Sequence, residues 1–250
     1  MSKEQSLAKQ EPGATSALAV LSGGGSGALM KTVKELGITQ FDLQRIKIPT
    51  GGGANWELTG SEGSKMVPEI KCVIVGVKSG EKAWWMIDTV SGEPPSCVSH
   101  DGATGIGINS LDKDAKSGQH ECATCPWGQF GSARKGGKGK DCKDMLFVYL
   151  FRPEAKLPSL FVAPPLSLKP MRAYLLGLAT EGKKYSQVYT TLKLDQTKNS
   201  GGIKVSVVSP KFSGALSEQD AAQMASLSEM LMGAINRAGA VEVSAEEIGE

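Results

Sequence analysis

Cys122 and Cys125 stand two residues apart in the run HECATCPWGQFGSARKGGKGKDCK (120–143), and Cys142 closes the same run. Two intervening residues let the chain turn back and offer both sulfurs to one ion, so Cys122-x-x-Cys125 is a chelating pair. A structural zinc site fills four tetrahedral corners. Cys142 supplies a third sulfur and Cys97 a fourth, in the spacing C-x24-C-x2-C-x16-C. His120 is the alternative fourth ligand. It is separated from Cys122 by one residue, a tighter and less common bite. The fifth cysteine, Cys72, falls in an alternating apolar segment and reads as core.

Three sharper chemistries fail on single residues. Gly131-Ser-Ala-Arg-Lys-Gly136 has the glycine spacing of a phosphate-binding loop, but Gly137 stands where lysine is needed and no hydroxyl or helix follows. A zinc nucleobase deaminase needs His-x-Glu well upstream of Pro-Cys-x-x-Cys. Here His120-Glu121 abuts Cys122, and Pro126 follows the pair. A redox Cys-x-x-Cys opens a helix beside a βαβ unit, whereas CPWGQFGS is broken by glycine. His100 and His120 are the only histidines, and no Gly-x-Ser-x-Gly or paired-carboxylate constellation stands out. The residues therefore point to a binding protein more than to an enzyme.

Between Pro126 and Lys143 five cations (Arg134, Lys135, Lys138, Lys140 and Lys143) face the single acid Asp141 on a glycine-rich backbone, beside Trp127 and Phe130. Single-stranded nucleic acid is bound by this combination, with cations on phosphates and aromatic faces under bases. Trp84 and Trp85 are adjacent in a strand-like run, which puts one ring on each face of a sheet; one reads as core and the other as a further stacking platform. A solvated, solubilising loop is the plainer account of the same charges.

These residues need elements to position them. EIKCVIVGVK (69–78) and KAWWMID (82–88) read as a hairpin turned at Ser79-Gly80. MLFVYLFR (145–152), LPSLFVAPP (157–165), YSQVYTTLKL (185–194) and GIKVSVVS (202–209) read as strands, and QRIKIP (44–49) as another closed by glycines. Helices are expected over 31–37, 166–182 (stopped at Gly182) and 217–238. From Val90 to Asp144 large apolar residues are too sparse to offset the entropy of ordering, so something other than a core must hold that stretch. A closed zinc site contributes on the order of 10 kcal/mol to such ordering.

The expected fold is mainly β with two helices (α+β). It takes the form of an OB-like Greek-key barrel, five strands with a helix placed late, carrying a zinc-stapled insertion. An α+β sheet layered by two helices gives the same string. Residues 31–240 form one OB-like domain, with 90–144 as the basic insertion, between a flexible arm (1–30) and an acidic tail (241–250). The 250 residues carry a net charge of +2 and 31 glycines, an ordinary globular composition apart from the glycine. No apolar run approaches the roughly 20 residues of a spanning helix, and MSKEQSLAKQEPGATSALAVL is a poor signal peptide. A cytoplasmic chain with reduced thiols and no membrane engagement is expected.

The runs FDLQRIKIPTGGGANWEL, PPSCVSHDGATG, CATCPWGQFGSARKGGKGKDCK, LPSLFVAPPLSLKPMRAYLLGLA and YSQVYTTLKL, over about 40–210, resemble a family of bacteriophage-encoded proteins. Its pattern is C-x-S-x-D-G, then C-x-x-C-P, then G-K-x-C, then P-P-x-S-L-K. The resemblance implies a single-stranded DNA-binding protein of phage replication or recombination. It also implies that Cys97, Cys122, Cys125 and Cys142 are the ligand set, with His120 outside it. Two other classes remain in play: an adaptor that recruits replication or host proteins through the zinc loop and acidic tail, and a nuclease or recombination enzyme whose carboxylates the sequence does not mark.

Overall fold

The computed structural model describes Glu35 and residues 43–49, 51–60, 63–86, 94–112, 114–134, 137–155, 157–199 and 202–238. The arm 1–30, the acidic tail 241–250 and the helix expected over 31–37, apart from helical Glu35, lie outside the described residues. Among the described residues the fold is mainly β, with two helices besides helical Glu35 on a mixed, open sheet of eleven strands.

The sheet is organised by two long apolar strands. In β8 (Lys143–Phe151) both faces are buried. Met145, Phe147, Tyr149 and Phe151 point to one side, and Leu146, Val148 and Leu150 to the other. A strand covered on both faces reads as a continuous apolar run, which is why this segment is unambiguous in the sequence. Its partner β4 runs unbroken from Glu69 to Trp84. The hairpin expected at Ser79-Gly80 does not form. Antiparallel pairing with β8 continues past that point, and the register slips between Lys78 and Glu81. Gly80 takes a φ of 89° there, so it serves a bulge that bends the strand instead of reversing it.

β4 is the hub. Its first residues pair with β10 (Val188–Lys198), its middle with β8, and its end, Lys82–Trp84, with β5 (Cys97–Ser99). From β8 the sheet continues through β9 (Ser159–Ala163) to β1 (Gln44–Lys47), which lies parallel to β9, and on to β2 (Trp56–Gly60) and β3 (Gly63–Val67). β11 (Lys204–Ala215) pairs with β10. β6 (Thr104–Gly107) and β7 (Gly118–Glu121) extend the sheet beyond β5. The stretch expected to lack pattern thus contains three short strands grafted onto the end of β4.

Each face of the sheet carries a helix. α1 (Pro165–Thr180) begins on a proline at its first helical position, where the missing N–H costs nothing. This is one residue before the expected start at Leu166. It ends at Thr180 and is closed off by Gly182, whose φ is 69° and whose N–H donates to Ala179 O. Met171 enters the cluster of Ile46, Trp56, Ile74, Val148, Phe161 and Leu192, with Leu168 and Leu175 packed against it, while Tyr174 Oη bonds Thr190 Oγ1 at 2.7 Å. α2 (Glu218–Ala238) is capped by Ser217, whose hydroxyl accepts from Asp220 N at 3.1 Å. It buries Met224, Leu227, Leu231 and Ile235 against Phe147, Tyr149 and Phe151 on the opposite face. Each such large apolar side chain contributes about 1.5–3 kcal/mol on burial. Cys72 lies fully buried in the α1-side cluster, as expected of a core thiol. Among the described residues no helix is long and apolar enough to cross a membrane.

Candidate metal centre and binding groove

Cys97, Cys122, Cys125 and Cys142 line one small cavity from three segments of the chain. Cys97 opens β5, opposite Trp84 on one side and Gly107 on the other. Cys122 follows β7, its N–H bonded to Ala103 O at 2.8 Å. Cys125 precedes the 3-10 turn Pro126–Gly128, and Cys142 precedes β8, its N–H bonded to Trp127 O at 2.8 Å. All four line a cavity of about 20 Å³, together with His120, Gly105, Trp84 and Trp127. That volume holds one water-sized occupant.

The thiols feel one another. Burial, then the neighbouring Cys125 and Cys122, push the Cys97 thiol up to about 11. Burial, then Cys125, Cys97, Asp144 and Cys122, push that of Cys142 up to about 12. His120 instead commits Nε2 to Gly107 O at 2.7 Å. All five cysteines are free thiols. Among the described residues no three His, Cys, Asp or Glu side chains already stand as a metal-binding group. An ion would therefore have to draw the four thiols inward and displace their protons.

A polar lattice holds the same loop. Asp141 is buried and accepts from Trp84 Nε1 at 2.7 Å and from Arg134 Nε at 3.1 Å, while Arg134 Nη2 donates to Trp85 O. Ser132 Oγ takes the Asp141 N–H at 3.0 Å and donates to Trp127 O at 2.9 Å. In the sequence Asp141 is merely the one acid opposing five cations. Folded, it is the tie between loop and sheet, and no local motif announces that role.

The residues expected to meet nucleic acid separate into groups. Trp84 is 1% and Trp85 5% exposed, so neither offers a ring face to a base. Trp84 is sequestered by Trp127 and Asp141, and Trp85 by the core beneath α2. Trp127 is half-buried, stacked on Trp84 and bonded through Nε1 to Asn109 O at 2.6 Å. Arg134 is spent on Asp141 and the Trp85 carbonyl. Lys140 pairs with Asp144 at 2.9 Å and lies 5.0 Å above the Phe130 ring, and Lys143 Nζ reaches Lys140 O at 3.4 Å. Lys138 is exposed, and Lys135 lies outside the described residues. Phe130 is 81% exposed.

Phe130, Lys140 and Lys143 line a groove of about 660 Å³, with Ala133, Gly137, Gly139, Cys142 and Asp144 on the same wall. The facing walls are Ile48, Pro49, Gly51 and Gly52 between β1 and β2, Pro164–Leu166 and Leu168 at the start of α1, and Asn199, Val205 and Ser206 at the β10–β11 turn. Gly52 has a φ of 75°, and an added Cβ would meet the Lys204 carbonyl carbon at 3.0 Å. The glycine loop therefore lies directly on β11, held by Gln196 and Ser206 side chains donating to the Gly52 and Gly53 carbonyls. The sequence gives one signal for this far wall, the paired punctuation Gly51-Gly52-Gly53 and Pro164-Pro165, but nothing in it brings the two together.

Comparison of the sequence with protein-family models, with curated proteins and with solved structures produced no match to any of them.

Proposed function

We propose that the chain binds single-stranded DNA along this groove, on an OB-like core whose insertion is stapled by a structural zinc ion. The observation that carries the proposal is the groove's position. β4, β8 and β9 form an antiparallel meander, α1 follows, β10 pairs back on the start of β4, and β11 pairs with β10. This is the order of the five-stranded barrel that binds oligonucleotides between its first-to-second and fourth-to-fifth strand connections. The basic insertion joins β4 to β8, and Asn199 lies at the β10–β11 turn. β1, parallel to β9, occupies the place where such a barrel would close.

The lining suits an unpaired strand. Phe130, Pro49, Pro165, Leu166 and Val205 offer apolar contact to bases, with Lys140 and Lys143 beside them for phosphate. Exposed Lys138, Lys198 and Lys204 adjoin lining residues in sequence, while the one acid in the lining, Asp144, is already paired with Lys140. Four thiols around space for a single atom fit a closed zinc site, with Cys97 as fourth ligand and His120 beside it. The resemblance to phage replication and recombination proteins points the same way. Fluorescence anisotropy of a labelled oligothymidine tests the proposal: we expect binding that weakens with salt, and a single strand that outcompetes the matching duplex. No binding at low salt would refute it.

A further inference from the structure

The two cavities share a wall, because Cys142 lines both. We infer that the segment from Cys125 to Cys142 is a metal-set wall, so that filling the four-cysteine cavity controls the affinity of the groove for a single strand. This rests on the nucleic-acid proposal above.

Phe130, Ala133, Gly137, Gly139 and Lys140 all lie between those two cysteines. Among the described residues from Pro126 to Cys142 only Asp141 is buried. The wall therefore buries no apolar side chain of its own, and it is held by bonds such as Gly131 N to Gly139 O at 2.9 Å within it and by the ties of Asp141, Arg134 and Trp127 to the end of β4. The opposite walls belong to α1 and to the β10–β11 hairpin, which are packed into the core whatever the cysteines do. Drawing Cys125 and Cys142 onto one ion fixes both ends of the wall at once, and with them the gap between Phe130 and Leu166. Releasing the ion leaves a wall that holds this position for part of the time, and apparent affinity falls by that fraction. The regulated site and its regulator are thus neighbours through one residue, with no long-range path needed.

The test uses the full chain, purified in thiol reductant with zinc supplied and titrated with labelled oligothymidine before and after a chelator. Zinc release is followed with a metal indicator, the core by far-UV circular dichroism and the insertion by tryptophan emission, because Trp84 and Trp127 line the cysteine cavity. We expect zinc release to weaken binding about tenfold, with the dichroism retained and affinity restored by added zinc. Cys125→Ser should reproduce the loss without chelator, and chelation of the unaltered chain decides the matter if that variant does not fold. Leu166→Glu, on the other wall, should abolish binding and leave zinc uptake intact. Zinc release with unchanged affinity, or no zinc uptake at all, would overturn the inference and leave DNA binding standing. A zinc-loaded chain that ignores the oligonucleotide would overturn the DNA-binding proposal itself.

Discussion

Trp84 stacks on Trp127 with ring centroids 5.0 Å apart and planes 13° from parallel. Trp84 ends β4, and Trp127 belongs to the turn that follows the Cys-x-x-Cys pair, so the stack joins the insertion to the sheet. Each indole N–H is also committed, to Asp141 and to the Asn109 carbonyl respectively. Aromatic pairs of this kind contribute about 0.5–1.5 kcal/mol beyond the area they bury.

Trp127→Ala removes the stack, the hydrogen bond and the packing over Trp84. Because Trp127 is half-buried, the expected cost is about 2–3 kcal/mol, below the range for a fully buried tryptophan. Urea unfolding should register that loss. Trypsin should then cut within 134–143 much faster than in the unaltered chain, while Trp127→Phe keeps most of the protection.

The cations of the loop should separate by role. Arg134 bonds Asp141 and the Trp85 carbonyl, so Arg134→Ala is expected to lower stability by about 1 kcal/mol, a modest figure for a pair one partner of which remains solvated. It should leave the salt dependence of oligonucleotide binding unchanged. Lys138→Ala and Lys143→Ala should do the reverse, each flattening the plot of log affinity against log salt by about 0.7 if it meets one phosphate. Anisotropy titrations over a salt series read both effects.

What the sequence made legible follows physical lines. β8 and β9 were plain because both their faces are buried, and α2 because its cap and apolar stripe agree. The four cysteines were legible by spacing, and they do surround one cavity. The hairpin at Ser79-Gly80 was misread because a glycine at positive φ serves a bulge as readily as a turn, and only the length of β8 decides between them. β5, β6 and β7 were invisible because they are three or four residues long and bury almost nothing. One of Trp84 and Trp85 reads as a platform because a buried indole and a stacking indole have the same sequence, and what covers Trp84 arrives from Trp127 and Asp141, far along the chain.

Acid should loosen the β5–β6 turn before the core. Asp101 Oδ1 accepts from the backbone N–H groups of Thr104 and Ala103, each at 2.8 Å, and from Ser99 Oγ at 3.0 Å. These bonds, the Thr104 and Ala103 amides foremost, hold its carboxyl at about 2, below the ordinary 3.8. The folded value lies below the unfolded one, so the contribution is complete above about pH 4 and fades as pH falls through about 2. Hydrogen exchange at Ala103 and Thr104 should accelerate over that window, beyond the change seen for β8 amides. Asp101→Asn should accelerate the same amides at neutral pH and remove the acid dependence.

Gly105 gives the sharpest separation of the proposed zinc site from the fold. It lies in β6, and a Cβ there would stand 3.0 Å from Cys97 Sγ and 3.7 Å from Cys122 Sγ. Its backbone is ordinary for a strand, so Gly105→Ala should leave β6 paired with β5 and β7 at a cost of about 1 kcal/mol for the crowding. The methyl nevertheless displaces a sulfur by a few tenths of an ångström, more than the roughly 0.2 Å that a metal–ligand distance tolerates. Zinc affinity, read by competition with a chelating indicator, should therefore fall tenfold or more while the zinc-free chain unfolds only about 2–4 °C lower. Gly107→Ala is the contrast. Gly107 has a φ of 135°, and its Cβ would run into the Ser96 carbonyl oxygen, so that variant should lose stability and zinc together. If Gly105→Ala bound zinc as tightly as the unaltered chain, Cys97 and Cys122 could not both be ligands, and His120 would become the fourth.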